Sequence, residues 1–202
     1  MAHPVIVALV GIDGSGKTTQ AKMLAEWLTT CGATATYFAN PGGRLFLGRL
    51  AHRLGRADAI DLLGRRGFTL VETLLRWLNI CRAVVWSRLS RRTAVMDRYS
   101  YCQYVTMRTR ADQGDRFARI LYSVFPRPDL VCFLDVAPVE AHRRVERRGT
   151  DSESLSYLSD AATGYRSLPE FESFTVVDAN GSPGEVQATL RQVVGHRLND
   201  QG

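Results

Sequence analysis

Residues 11–19 of this chain read GIDGSGKTT, and they constrain the fold more than any other stretch. The pattern G-x-x-x-x-G-K-[ST] needs a buried strand before it and a helix opening after it. Both are legible. Pro4 to Val10 (PVIVALV) reads as a continuously apolar strand, and Lys17 to Thr30 carries Ala21, Leu24, Ala25 and Leu28 at helical spacing. Glycines in such a loop let backbone N–H groups turn toward phosphate oxygens without a Cβ in the way. The helix start adds its positive dipole end. On this reading Gly11, Asp13, Gly14, Ser15, Gly16, Lys17, Thr18 and Thr19 cradle a triphosphate. Lys17 bridges the β- and γ-phosphates, and the Thr18 hydroxyl is a magnesium ligand.

The rest of the chain alternates in the same way. Ala33 to Phe38, Thr93 to Asp97, Leu130 to Val136 and Phe174 to Asp178 read as four further short strands. Helical periods fall on Phe68–Arg88, with Leu70, Leu74, Leu75, Leu78 and Val85 as its expected core face, and on Ala111–Phe125, Val139–Arg148 and Pro183–Leu198. Apolar strands alternating with helices predict a three-layer α/β/α fold of the P-loop NTPase kind, with a five-stranded parallel sheet covered on both faces. The 202 residues fit a single domain, 1–202. Ligands in such folds sit at the carboxyl ends of the strands. That is where Asp97, Asp135 and Asp178 fall.

Composition excludes several classes. No apolar run is long enough for a transmembrane helix, and no signal-peptide pattern opens the chain. Four scattered cysteines without a CxxC pair argue against a zinc or disulfide framework and fit a reducing cytoplasm. The histidines lack metal-ligand spacing. The net charge of +6 comes almost wholly from arginine, since Lys17 and Lys22 are the lysines. These arginines are dispersed, with no basic tail, so specific nucleic-acid binding is not expected.

Three further features point to a kinase of small molecules. TAVMDRYS ends a strand on Asp97, a carboxylate suited to holding magnesium, followed by Arg98, suited to gripping a second phosphate. VEAHRRVERRG places Arg143, Arg144, Arg147 and Arg148 on one helix. This segment reads as a short helical lid, about residues 143–155, that brings positive charge over the transferring group and excludes water. VVDANGS after the last strand is a candidate slot for a base.

In this order the pieces resemble the thymidylate kinase family of nucleoside monophosphate kinases. The likeness rests on GIDGSGKTTQ with Asp13 inside the loop, PGG after the second strand, DRY after the third, PDLVCFLDV followed by RxxxRG, ESLSYLSDAATGY and VDAN, from about Val5 to Asn180. The resemblance implies ATP with magnesium as donor, dTMP as acceptor, and a homodimer. It implies catalytic roles for Asp13, Lys17, Asp97, Arg144 and Arg148. Thr18 and Asp97 would hold the metal, and Arg144, Arg148 and Ala179 would contact the donor. Asp13, Arg76, Arg98, Tyr99, Gln103 and Tyr104 would face the acceptor. The departures are local. Ala39 and Asn40 replace an arginine and a glutamate before PGG, VETLLRWLNICR lacks the family's stacking aromatic, and YCQYVT replaces a serine and an alanine–tyrosine pair. Between Arg148 and Glu153 the lid is also shorter than the family's usual one. Each departure touches the acceptor pocket or the lid, while the donor side is intact. A paralogue acting on another nucleotide, nucleoside or related metabolite is therefore the second reading, and a regulatory nucleotide-binding module the third.

Overall fold

The computed structural model describes residues 5–110, 115–149 and 153–199. Five parallel strands form the centre: β1 (Ile6–Val10), β2 (Ala35–Ala39), β3 (Thr93–Asp97), β4 (Leu130–Asp135) and β5 (Thr175–Asp178), in the order β2-β3-β1-β4-β5. All five residues of β1 are buried, as a central parallel strand requires. Helices flank the sheet: α1 (Lys17–Thr30), α2 (Arg44–Arg53), α3 (Ala59–Ser90), α4 (Ser100–Thr109), α5 (Asp115–Tyr122), α6 (Pro138–Arg148), α7 (Leu155–Arg166) and α8 (Pro183–Asn199). No helix among the described residues is long and apolar enough to cross a membrane. All four cysteines are unpaired.

The topology positions the site. From β1 the chain travels to the sheet edge at β2, returns to β3, and then crosses to β4 on the other side of β1. Crevices open at such reversals, beyond the strand ends. In the β1–β3 register Leu9 lies opposite Asp97, so the loop after β1 and the carboxylate ending β3 emerge side by side.

Two expectations need correction in α3. It is longer than the periodicity of Phe68–Arg88 indicated: Asp58 caps its start by accepting from the backbone N–H groups of Ile60 and Asp61, both at 2.8 Å. Gly64 (φ 69°, ψ 161°) breaks it near that end. Its core face is also not the leucine stripe. Leu70, Leu74, Leu78 and Val85 are 44–57% exposed, Leu75 is half-buried, and the inward face is Phe68, Glu72, Thr73, Arg76, Ile80, Ala83 and Val84. Periodicity selects the most apolar stripe as core, but here the inner face is polar where it walls a cavity. The expected helix at Ala111–Phe125 is described from Asp115; residues 111–114, like Pro4 and lid residues 150–152, lie outside the described set.

Candidate active site

The loop after β1 owes its path to glycine. Gly14 has φ 88°, and a Cβ there would sit 2.3 Å from the Ala141 carbonyl oxygen of α6. Gly16 (φ 89°) stands at the N-cap of α1 and offers no side chain, so no side-chain cap occupies the first N–H groups of that helix. An uncapped helix start facing a strand-end crevice is an anion site in waiting.

Charge is packed tightly there. The Lys17 ammonium is 4% exposed and donates to the Ile12 carbonyl oxygen at 2.6 Å and to Ser15 Oγ at 3.3 Å. It also lies 3.6 Å from Asp13 Oδ1. Arg98 donates from Nη2 to the same Asp13 oxygen. Asp13 therefore links two cations. Burial opposes its charge, but Arg98 and Lys17 outweigh that and hold the carboxyl well below the usual carboxylate range. Burial, with Arg98 adding to it, pushes the Lys17 ammonium down. Arg98 has φ 79°, a left-handed conformation that is costly for a residue with a Cβ. Its backbone N–H donates to the Leu9 carbonyl oxygen at 3.0 Å, and its guanidinium is tied to Asp13, so backbone and side chain are both fixed.

Beside this cluster Thr18 Oγ1 donates to Asp97 Oδ2 at 2.5 Å. The Tyr37 phenol donates to the same oxygen at 3.4 Å, and burial together with Asp97 pushes that phenol up to about 12. Asp97 Oδ1 is buried and has no hydrogen-bond partner. A buried carboxylate oxygen left open beside a threonine hydroxyl is a hard-oxygen pair of the kind magnesium takes when phosphates complete its shell.

A cavity of about 550 Å³ opens from these groups. Asp13, Thr18, Asp97 and Arg98 form its anion-binding end. Its far end is built by Phe46 and Arg49 from α2, Glu72 and Arg76 from α3, Thr106 of α4 with Arg110 beyond it, and Glu153 and Tyr157. Glu72 organises that end. Its carboxylate accepts from Arg76 Nη2 at 3.0 Å and Arg110 Nη1 at 2.9 Å. Burial opposes its ionisation, and the two arginines override this and keep it below its ordinary value. Arg76 Nη1 donates to the Asn40 carbonyl oxygen at 3.2 Å, which ties the Pro41–Gly43 loop to α3. Gly42 lies so close that a Cβ would fall 2.5 Å from Glu72 Oε1.

On the opposite side of the loop, Arg144 donates from Nη1 to the Ala179 carbonyl oxygen at 2.9 Å and from Nη2 to the Asn180 and Gly181 carbonyl oxygens at 3.0 and 3.3 Å. Its Nε is bound to Glu140. This guanidinium braces the loop after β5, the segment that carries Ala179. Arg148 ends α6 exposed, and Thr19 is an exposed residue of the first turn of α1.

The structure brings Asp13, Thr18, Arg76, Asp97 and Arg98 to one cavity, with Lys17 against its anion end. It does not bring Tyr99, Gln103 and Tyr104 there. The Tyr99 hydroxyl donates to the Pro126 carbonyl oxygen at 2.6 Å, and Tyr99 and Tyr104 line a separate aromatic cavity with Tyr122 and Phe125. Gln103 is fully buried and donates to Thr73 Oγ1 at 3.0 Å. The helical phase explains the error: α4 shows Thr106 to the cavity, with Arg110 one turn on, and its early tyrosines to the core. Tyr37, Phe46, Arg49, Glu72, Thr106, Arg110, Glu153 and Tyr157 went unrecognised. Glu72 and Arg76, a pair of opposite charges four apart on the inner side of a helix, were the signal that could have found this wall.

The geometry can be set beside known proteins. A family model described as thymidylate kinase matches residues 9–190. A probable thymidylate kinase of Pyrococcus abyssi is 33% identical over 200 residues, covering 95% of this chain and 96% of the relative. One from Archaeoglobus fulgidus is 31% identical over 201 residues, covering 96% and 97%. A thymidylate kinase of a Jannaschia species is 28% identical over 204 residues, covering 96% and 98%.

Proposed function

The chain belongs to the thymidylate kinase family and is a nucleoside monophosphate kinase; from that premise we propose that it transfers the γ-phosphate of ATP to dTMP, giving dTDP and ADP, with magnesium bound at Thr18 and Asp97. The observation that carries the reading is Asp13, whose carboxylate is shared between Lys17 on the donor loop and Arg98 on the acceptor side. Donor and acceptor phosphates drawn to these cations meet at one point, which is the positioning that in-line phosphoryl transfer requires.

In this mechanism the backbone N–H groups from Gly11 to Thr19 and the Lys17 ammonium hold the donor phosphates. Ala179 and the Arg144 guanidinium frame the adenine slot, and Arg148 closes from the lid. Magnesium, when bound, neutralises charge developing between the β- and γ-phosphates. The buried open oxygen of Asp97 fits that role. Arg98 orients the acceptor monophosphate, and the far end of the cavity takes sugar and base. Residues 1–202 act as one domain, with the lid near 143–155, in a reducing compartment where the four thiols stay free. The exposed stripe Leu70, Leu74, Leu78, Val85 and Leu89 on α3 supports a homodimer packed along that helix.

A second reading has its own support. Arg49, Glu72, Arg76, Arg110 and Glu153 make the base end strongly charged for a thymine methyl, which favours a relative acting on another nucleoside monophosphate. The test is ADP release from Mg-ATP with dTMP, dUMP, dCMP, AMP, GMP and thymidine. The expected result is selective turnover of dTMP, abolished in Lys17→Ala. Selective turnover of another monophosphate would replace dTMP as acceptor. Slow ATP hydrolysis indifferent to every acceptor would leave a regulatory nucleotide binder.

A further inference from the structure

The first cavity divides its chemistry unevenly. Asp13, Thr18, Asp97 and Arg98 fix where a phosphate sits, so the rest of an acceptor nucleotide extends toward the far end. There Glu72, Arg76 and Arg110 are charged and bound to one another. Charged and hydrogen-bonding groups read the edge of a base. Its π face takes a flat apolar partner.

Helix α2 offers one. Gly43 (φ 74°) starts it so close to α3 that a Cβ there would fall 2.3 Å from Leu75 Cδ1. Leu47 and Ala51, four apart, are buried, and Leu47 packs in a cluster with Ala59 and Phe68. These contacts set the phase of the helix. Phe46, one residue before Leu47, is turned off that packing and lines the cavity with Arg49, three residues on. It is 68% exposed and belongs to neither buried cluster of the fold. The other aromatics lining this cavity among the described residues, Tyr37 and Tyr157, are both packed against the core, and the Tyr37 phenol is bound to Asp97. Exposed apolar side chains are ordinary on a protein surface. Phe46 is distinguished by its place, since its uncovered ring stands on the wall of a cavity whose occupant carries an aromatic base.

We propose that Phe46 is the stacking platform for the base of the acceptor nucleotide, its ring lying against the base while the charged groups of α3 and α4 meet the base edge. The proposal rests on the reading of this cavity as the acceptor site. Removing the aromatic partner of a stacked base lowers affinity by about 5- to 100-fold, with little dependence on which base is stacked. In this arrangement α2 supplies affinity for any base, and the charged wall supplies the choice among bases.

The test is steady-state kinetics of the full chain with Mg-ATP, with substrate binding followed by calorimetry. Phe46→Ala should raise the KM for dTMP by about 5- to 100-fold while kcat stays within about threefold and ATP affinity holds, the signature of lost uniform binding. Phe46→Tyr should stay within about threefold of wild type, and Phe46→Leu, which keeps apolar bulk without a π face, should behave like Phe46→Ala. The base-free 2-deoxyribose 5-phosphate should inhibit wild type and Phe46→Ala alike. The exposed position predicts a melting temperature within about 2 °C of wild type in all three variants. An unchanged KM for dTMP in Phe46→Ala overturns the proposal and assigns Phe46 to the exposed apolar stripe that Leu50 and Leu54 continue along α2. Phe46→Leu matching wild type overturns stacking, and an equal loss for the base-free sugar phosphate overturns contact with the base. If wild type refuses dTMP but turns over another monophosphate, the thymidylate reading fails and Phe46 stands or falls on that acceptor by the same comparisons. If no monophosphate is bound, the acceptor reading and the platform fall together.

Discussion

Glu72→Gln isolates the group that organises the far end of the first cavity. Glu72 is 3% exposed and Arg76 7%, and the carboxylate holds Arg76 and Arg110 together. Removing one partner of a buried ion pair costs about 3–5 kcal/mol because the other charge is left uncompensated. Glutamine keeps the volume and one acceptor, which reduces the expected cost to about 2–4 kcal/mol. In a chain of this size that corresponds to a fall of about 4–16 °C in melting temperature. The pH dependence has a definite sign. The folded-state pKa of Glu72 lies below its ordinary 4.5, so the stability it contributes is fully present above pH 4.5 and is lost as pH falls through the folded value. The gap between wild type and Glu72→Gln should therefore be wide at neutral pH and narrow below pH 4.5. Because Arg76 also anchors the Asn40 carbonyl and Gly42 rests against the carboxylate, acceptor KM should rise while ATP KM holds. Thermal unfolding across pH and steady-state kinetics measure both. A melting shift smaller than about 2 °C at pH 7, or equal rises in the two KM values, would refute the reasoning.

Three other outcomes follow from the same geometry. Arg98→Ala should raise acceptor KM by about 10- to 100-fold with a far smaller effect on ATP; titrating each substrate in turn decides it, and equal losses would remove Arg98 from the acceptor side. Gly14→Ala places a Cβ 2.3 Å from the Ala141 carbonyl oxygen, so calorimetry should find ATP binding lost, and retained affinity would mean the loop can shift without consequence. Leu74→Glu combined with Leu78→Glu puts charge on the exposed stripe of α3 and, on the homodimer proposal, should halve the mass seen by sedimentation; an unaltered mass would refute a dimer packed along α3.

The phosphate-loop half of the candidate site was legible in the sequence because its determinants are local. Strand, glycine loop, Lys17, Thr18 and helix are contiguous, and each glycine answers to a backbone requirement that the motif itself announces. Asp97 and Arg98 were equally readable, because a strand end in a parallel sheet can face only one crevice. The far end of the cavity is assembled differently. Its walls come from α2, α3, α4 and α7, and which face each helix presents depends on packing across the sheet. On α3 the apolar stripe at Leu70, Leu74 and Leu78 outscores the true inner face, because Glu72, Thr73 and Arg76 are buried for the cavity and not for the core. At the start of α4 the expected Tyr99 and Tyr104 look plausible by type, yet Tyr99 stands at the N-cap of the helix, and the helical phase turns both into an aromatic cluster with Tyr101, Tyr122 and Phe125. Arg98 stands at the junction of β3 and α4 with a left-handed backbone and its guanidinium on Asp13. A positive φ at a residue with a Cβ is a local backbone property that neither motif spacing nor periodicity signals.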